Sequence, residues 1–95
     1  MRKPVMSGEE AEALALRAVA FLAAEPERFG RFLALTGLGP AEIRTQVKDP
    51  AFLGAVLDYL LGDEILLLAF CAAENVDPNL PGVARVRLPG APVSD

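Results

Sequence analysis

The chain has 95 residues and a formal net charge of -4, which predicts a single domain with one hydrophobic core. Hydrophobic residues make up 53% of it, against roughly 45 to 50% in ordinary soluble domains, so part of the apolar surface is expected at an interface. The acidic balance, with basic residues scattered among acidic ones, argues against nucleic acid as a partner. A single cysteine, Cys71, excludes an intramolecular disulfide and favours a reducing compartment, so we expect a cytoplasmic protein.

The first helix is predicted to begin at Ser7. Ser7 followed by Glu10 is a capping-box pattern, in which the hydroxyl and the carboxylate each accept a backbone N–H. The apolar residues that follow recur at the spacing of one helical face. Pro26 ends this helix near Ala24, because the residue before a proline avoids helical dihedrals, and it suits the first position of a second helix.

The second and third helices are separated by a glycine-containing turn. Helix two is predicted to run to about Thr36 and to end at Gly37, which readily adopts the left-handed C-cap conformation. Gly39 and Pro40 then open a short third helix that ends around Lys48.

Helices four and five are predicted as a tight hairpin over residues 50–61 and 63–75. Asp49 is the expected N-cap of helix four, Gly62 its C-cap, and Asp63 the N-cap of helix five. Gly62 and Asp63 are adjacent, so the connection between the two helices is very short.

This hairpin is more apolar than a surface helix requires. Only Gly54 and Asp58 are expected to meet water along helix four, and helix five has no polar residue between Glu64 and Glu74. A helix that is apolar all round is a buried one. Two interpretations remain open: a monomer that encloses the hairpin with its own helices, or a homodimer that buries it between copies. The candidate interface residues are Leu66, Leu68, Phe70 and Tyr59.

A last short helix is predicted from the Asp77-Pro78 pair to about Leu88, with Pro81 and Gly82 weakening its first turn. No run alternates apolar and polar residues as a strand does. The sequence thus predicts an all-α fold, a compact bundle of five to six short helices around a central apolar helical hairpin. The predicted division is a single domain over 7–88, a flexible N-terminal tail over 1–6 and a flexible C-terminal tail over 89–95.

The hairpin also carries a family resemblance. The pattern FLxxVLDYLLxDExLLxAFC over residues 52–71, together with Phe32-Leu33, Thr36-Gly37-Leu38 and Leu88-Pro89-Gly90, resembles a small bacterial domain family of unknown function, best known from alphaproteobacteria. The resemblance spans about residues 9–90. It implies a helical cytoplasmic domain and brings no activity, substrate, cofactor or site residue.

The residues that most sites need are missing from this chain. It has no histidine, one cysteine in an apolar run and no acidic set at calcium-loop spacing, so we expect no metal site and no cofactor. Without a histidine base beside a Ser, Thr or Cys, we also predict no catalytic residues and no enzyme activity. Charged residues interrupt every apolar run well short of the roughly 18 residues of a membrane span, so no membrane partner is expected.

Function is therefore not specified by any motif. The prediction that fits best is a non-catalytic protein-interaction or oligomerisation module, with a protein partner or a second copy of the chain as its ligand. The alternative is a nucleic-acid-binding module, because Gly37-Leu38-Gly39 between two helices has the shape of a phosphate-contacting hairpin. Pro40 and Glu42 depart from that pattern, since one removes a donor and the other adds negative charge.

Overall fold

The computed structural model describes residues 6–90, and within that range it contains six α-helices and no strand. The predicted all-α fold is confirmed. Most of the two predicted tails, residues 1–5 and 91–95, lies outside the described residues. In chain order the helices are α1 (Gly8–Ala23), α2 (Pro26–Thr36), α3 (Pro40–Gln46), α4 (Pro50–Leu61), α5 (Glu64–Glu74) and α6 (Leu80–Val86).

The described ends of the chain are attached to the body of the domain. Met6 and Leu88 are both buried in the hydrophobic core. The carbonyl oxygen of Pro89 accepts a hydrogen bond from Arg85 Nη1 at 3.1 Å. The core therefore includes one residue that precedes α1 and one that follows α6 in the chain.

Local capping interactions begin and end several helices where the sequence predicted. The N–H of Ser7 donates to Glu10 Oε1 at 3.0 Å, and the N–H of Glu10 donates to Ser7 Oγ at 3.1 Å, which completes the capping box of α1. Gly37 closes α2 with a left-handed φ of 73°. Asp63 Oδ1 accepts the N–H of Leu66 at 3.1 Å and so caps α5.

Two helix ends differ from the expected geometry. Gly62 lies at the end of α4 as predicted, but its φ is -80°, because the chain passes directly into the extended Asp63 and needs no left-handed residue. Asn75 takes the left-handed conformation at the end of α5, with a φ of 55°. The expected start of the last helix shifts as well: Asp77 Oδ1 accepts the N–H of Asn79 in a local turn, and α6 begins at Leu80.

Helix α4 lies at the centre of the domain. It packs most extensively against α1 and α6, and less against α5. Half of its residues are buried, on a face that wraps around much of the helix. Those residues are Phe52, Leu53, Gly54, Val56, Leu57 and Leu60.

Gly54 of α4 is buried, so the expectation that water reaches it is wrong. Arg85 of α6 lies across it, and a Cβ at position 54 would come within 2.9 Å of Arg85 Nη1 and of the Pro89 carbonyl oxygen. The Arg85 side chain is 7% exposed, and its Nε donates to Oδ1 of Asp58 at 2.6 Å. Asp58 is half-exposed, one turn after Gly54. Gly54 thus makes room for a buried guanidinium that joins α4, α6 and the segment after α6.

Candidate functional site

Helix α5 has an inner face that belongs to the core. Phe70 is 0% exposed, and its ring meets that of Phe21 edge-on, with the centroids 5.5 Å apart. Cys71 is buried beside it. Phe70, one of the four interface candidates from the sequence, is therefore a core residue and contributes nothing to an exposed surface.

The opposite side of α5 is apolar and exposed. At about 100° per residue, five residues of α5 fall on the side away from Phe70 and Cys71. Ile65 is 83% exposed and Leu68 is 47% exposed, while Ala72 and Ala73 are exposed and Ala69 is half-buried. We call this set the outer face of α5: Ile65, Leu68, Ala69, Ala72 and Ala73.

Both ends of α5 are held, so the outer face is presented on a fixed helix. Asp63 caps the N-terminus, and Glu64 in the first turn complements the helix dipole. At the other end, Arg17 of α1 donates from Nε to Glu74 Oε1 at 3.2 Å and from Nη2 to the Glu74 carbonyl oxygen at 2.5 Å. An arginine at this position satisfies the carbonyl group of the last helical residue and neutralises the Glu74 carboxylate.

A groove of about 350 Å³ lies beside the outer face, between α5 and the start of α2. Its apolar wall comes from Ile65, Leu66 and Ala69. Its polar wall is of mixed charge and comes from Glu25, Glu27, Arg28, Arg31 and Asp63. Arg28 is held in place by the Phe21 ring, whose centroid is 4.2 Å from the guanidinium carbon. The candidate Leu66 is half-buried in this groove, next to the outer face.

The candidate Tyr59 lines a different groove, of about 580 Å³, between α2, α3 and α4. Its floor is aromatic, because the Phe32 ring stacks edge-on against Tyr59 at 5.1 Å and against Phe52 at 6.2 Å. The exposed Leu35 forms part of its wall. The four sequence candidates therefore do not form one surface: Leu66 and Leu68 lie on or beside the outer face of α5, Tyr59 lines another groove, and Phe70 is internal.

The most exposed large hydrophobic residue of α5, Ile65, was absent from those candidates. A wholly apolar helix has no polar residue to mark its outer side, so the pattern of polar and apolar residues does not indicate which side is exposed. The pattern of large and small residues does indicate it. The inner side holds Leu67 and Phe70, whereas alanines occupy three of the five positions of the outer face.

Each backbone N–H of the Gly37-Leu38-Gly39 turn is used within the chain. The N–H of Gly37 donates to the Leu33 carbonyl oxygen at 2.8 Å. That of Leu38 donates to the Thr36 hydroxyl at 3.3 Å, and that of Gly39 donates to Glu42 Oε1 at 3.0 Å. The Glu42 carboxylate thus accepts the Gly39 N–H, which a bound phosphate would need as a hydrogen-bond donor.

A family model described as a protein of unknown function, DUF3572, matches residues 8–91. The chain belongs to this family. The DUF3572 match begins at the first residue of α1 and ends beyond α6, so it includes every helix described above. No curated protein and no solved structure matches the chain.

The described residues of this DUF3572 domain form no group of three or more His, Cys, Asp or Glu side chains placed to hold a metal ion. None of the helices in that part of the chain has the length and apolar content that crossing a membrane requires. Burial, and secondarily the charge of Asp77, raises the pKa of the Cys71 thiol, which disfavours the reactive thiolate. The pKa of Glu10 is lowered by its hydrogen bonds with the Ser7 backbone and hydroxyl, as the capping box requires.

Proposed function

We propose that this domain is a non-catalytic protein-interaction module, and that the outer face of α5 is its contact surface. One observation carries the proposal: Ile65 and Leu68 are exposed on a helix with no polar residue between Glu64 and Glu74. Scattered exposed apolar residues are ordinary, whereas a contiguous apolar face points to a partner. The free, buried Cys71 supports a cytoplasmic location as part of the same proposal.

The energetics favour a partner at this face. Burying apolar surface stabilises a contact by about 25 cal/mol per Å², and Ile65 leaves most of its side chain available for that gain. Because α5 is capped at both ends, binding does not have to order the helix first, which removes one entropic cost. The adjoining groove with Arg28 and Arg31 supplies the polar rim that interfaces usually have.

Affinity capture from the source cells tests this proposal if the captured proteins are compared between variants. The bait is the full chain, and the test variant is the double substitution Ile65→Gln and Leu68→Gln. The matched control is Val86→Gln, because Val86 is an exposed apolar residue on α6, outside the outer face of α5. We expect at least one protein to be retained by the parent and the control and lost with the test variant. Identical capture by all three baits would contradict a role for the outer face.

Nucleic-acid binding through Gly37-Leu38-Gly39 is the alternative, and it has less support. The N–H groups of the turn already donate within the chain, and the net charge of -4 repels a phosphate backbone. A gel mobility shift with duplex DNA at low salt distinguishes the two functions. Binding at tens of micromolar that disappears with Gly39→Asp would favour the alternative, and no shift would remove it.

A further inference from the structure

We infer that the occupant of the outer face is a second copy of this chain, with two α5 helices packed antiparallel about a two-fold axis. The inference rests on the proposed function and specifies the partner. Its basis is the arrangement of large and small side chains on one charge-free helix face.

The outer face is complementary to itself in the antiparallel direction. An antiparallel pair centred between residues 68 and 69 places Ile65 opposite Ala72 of the second copy and Leu68 opposite Ala69 of the second copy. Each large side chain then has a small side chain of the other copy at its own level, which allows close approach of the two helices and dense packing. The two-fold axis repeats the same contacts, and it also brings the two Leu68 side chains together beside the axis.

A parallel pair does not have this property. It places Ile65 opposite Ile65 of the second copy and Ala72 opposite Ala72 of the second copy. Bulky residues then meet at one end of the contact, and alanines leave a gap at the other. Gaps in an apolar contact forfeit dispersion energy. The helix dipoles also favour the antiparallel arrangement, because the N-terminus of each α5 then lies near the C-terminus of the other.

The charges of α5 are confined to its two ends, where antiparallel packing brings the exposed Glu64 of one copy opposite Ala73 of the other. Glu74 lies on the side of the helix facing α1, where Arg17 pairs with it, and the outer face itself carries no charge. The two chains still repel at long range, since each has a net charge of -4. Added salt screens this repulsion and is expected to strengthen the dimer, whereas it would weaken binding to a basic partner.

The size of the face sets the expected affinity. Helix α5 has 11 residues, so it is about 16 Å long, and its outer face is smaller than the roughly 800 Å² per partner of a standard stable interface. The groove beside it, with Leu66 and Arg28, adds to the contact. We therefore expect a dissociation constant in the micromolar range.

Sedimentation equilibrium of the purified chain, from a few micromolar to about one millimolar, tests the dimer. The parent and Val86→Gln are expected to move from monomer to dimer over this range. The double variant Ile65→Gln and Leu68→Gln is expected to weaken association at least about tenfold. Both substituted residues are exposed, so circular dichroism should show unchanged folding.

The possible failures are distinguishable. A parent chain that stays monomeric throughout, while affinity capture still finds a different protein that depends on Ile65, overturns the inference and leaves the proposed function in place. A dimer that persists in the double variant places the contact elsewhere and overturns the inference. A parent chain that forms no dimer and captures no protein in an Ile65-dependent way overturns both the inference and the proposed function.

Cysteine cross-linking tests the direction of packing. Ile65→Cys and Ala72→Cys are prepared separately, and the parent chain serves as control because Cys71 is buried. Under mild oxidation an equal mixture of the two variants is expected to form mainly mixed disulfide dimers, since position 65 faces position 72 of the other copy. Preferential self-linking of each variant would indicate parallel packing, and absence of any link would place the contact elsewhere; either result overturns the antiparallel arrangement.

Discussion

Helices α4 and α5 are consecutive, similar in length and almost equally apolar, yet they occupy opposite kinds of position. Helix α4 packs against α1 and α6, and Arg85 covers Gly54 on it. Helix α5 buries only Phe70 and Cys71 fully and leaves Ile65 in water. The apolar composition of the hairpin therefore predicts that it is buried. Which of its two helices is enclosed depends on how much surface the neighbouring helices can place against each.

The shortage of covering surface has a simple cause. A chain of 95 residues buries only about two thirds of its unfolded surface. Two of its helices, α3 and α6, have seven residues each and cannot cover a second central helix along its length. Once α4 is enclosed, α5 remains half outside.

The largest expected difference between the two helices comes from the same substitution made on each. Leu57→Ala empties a fully buried site of α4 and is expected to lower the free energy of unfolding by about 3 kcal/mol. Leu68→Ala on the outer face of α5 is expected to cost less than about 1 kcal/mol. Urea unfolding at low micromolar concentration measures both in the monomer. Equal losses would mean that α5 is as enclosed as α4.

Substitution of glycines tests whether Arg85 packs closely against Gly54 of α4. Gly54→Ala forces a Cβ to within 2.9 Å of Arg85 Nη1 and the Pro89 carbonyl, so we expect a loss of about 1 to 3 kcal/mol despite the better helix propensity of alanine. Gly30→Ala in α2 is the matched control, because an added Cβ there would meet no atom within 4 Å apart from its chain neighbours and the backbone of its own helix, and it should gain up to about 1 kcal/mol. Thermal unfolding should therefore give shifts of opposite sign. A gain at both positions would contradict the close packing at Gly54.

Substitutions in the connection between α4 and α5 are expected to change the stability of the domain by a smaller amount. Asp63→Ala removes the side chain that accepts the Leu66 N–H and should destabilise the domain by about 1 kcal/mol. Asp63→Asn keeps an acceptor oxygen and should lose much less. Chemical denaturation measures both variants, and an unchanged midpoint for Asp63→Ala would remove the cap assignment.

The smallest effect lies at the start of α1, away from the hairpin, and concerns pH. Hydrogen bonding with Ser7 lowers the pKa of Glu10 from its ordinary value of 4.5, so ionised Glu10 stabilises the folded chain above that pH and the contribution is lost as pH falls through the lowered pKa. The difference in melting temperature between the parent and Glu10→Ala should therefore be largest near neutral pH and shrink below pH 4.5. A difference that grows on acidification would have the wrong sign for this cap.

Features that depend on neighbouring residues in sequence were predictable. The capping box of Ser7 and Glu10, the left-handed Gly37 and the Asp63 cap each involve groups within four residues, and all three are confirmed. Features that need distant partners were not. Gly54 is buried only because Arg85, 31 positions later, lies across it, and no local pattern in α4 indicates that.

The same distinction applies to the candidate contact surface. The sequence singled out helix five and named Leu66 and Leu68, but it also named Phe70, whose partner Phe21 lies 49 positions earlier. Which side of an all-apolar helix faces the core depends on where α1 and α4 lie, and that is a property of the assembled fold. Ile65 became the leading residue only when those positions were known.

Amide NMR spectra recorded over a dilution series test the contact role of the outer face most directly. Between tens of micromolar and about one millimolar, we expect concentration-dependent shifts at Ile65, Leu68 and Ala72 and in the adjoining groove at Arg28, with α4 unaffected. Shifts confined to the Gly37-Leu38-Gly39 turn or to the groove of Tyr59, or spectra that do not change with concentration, would contradict self-association through α5.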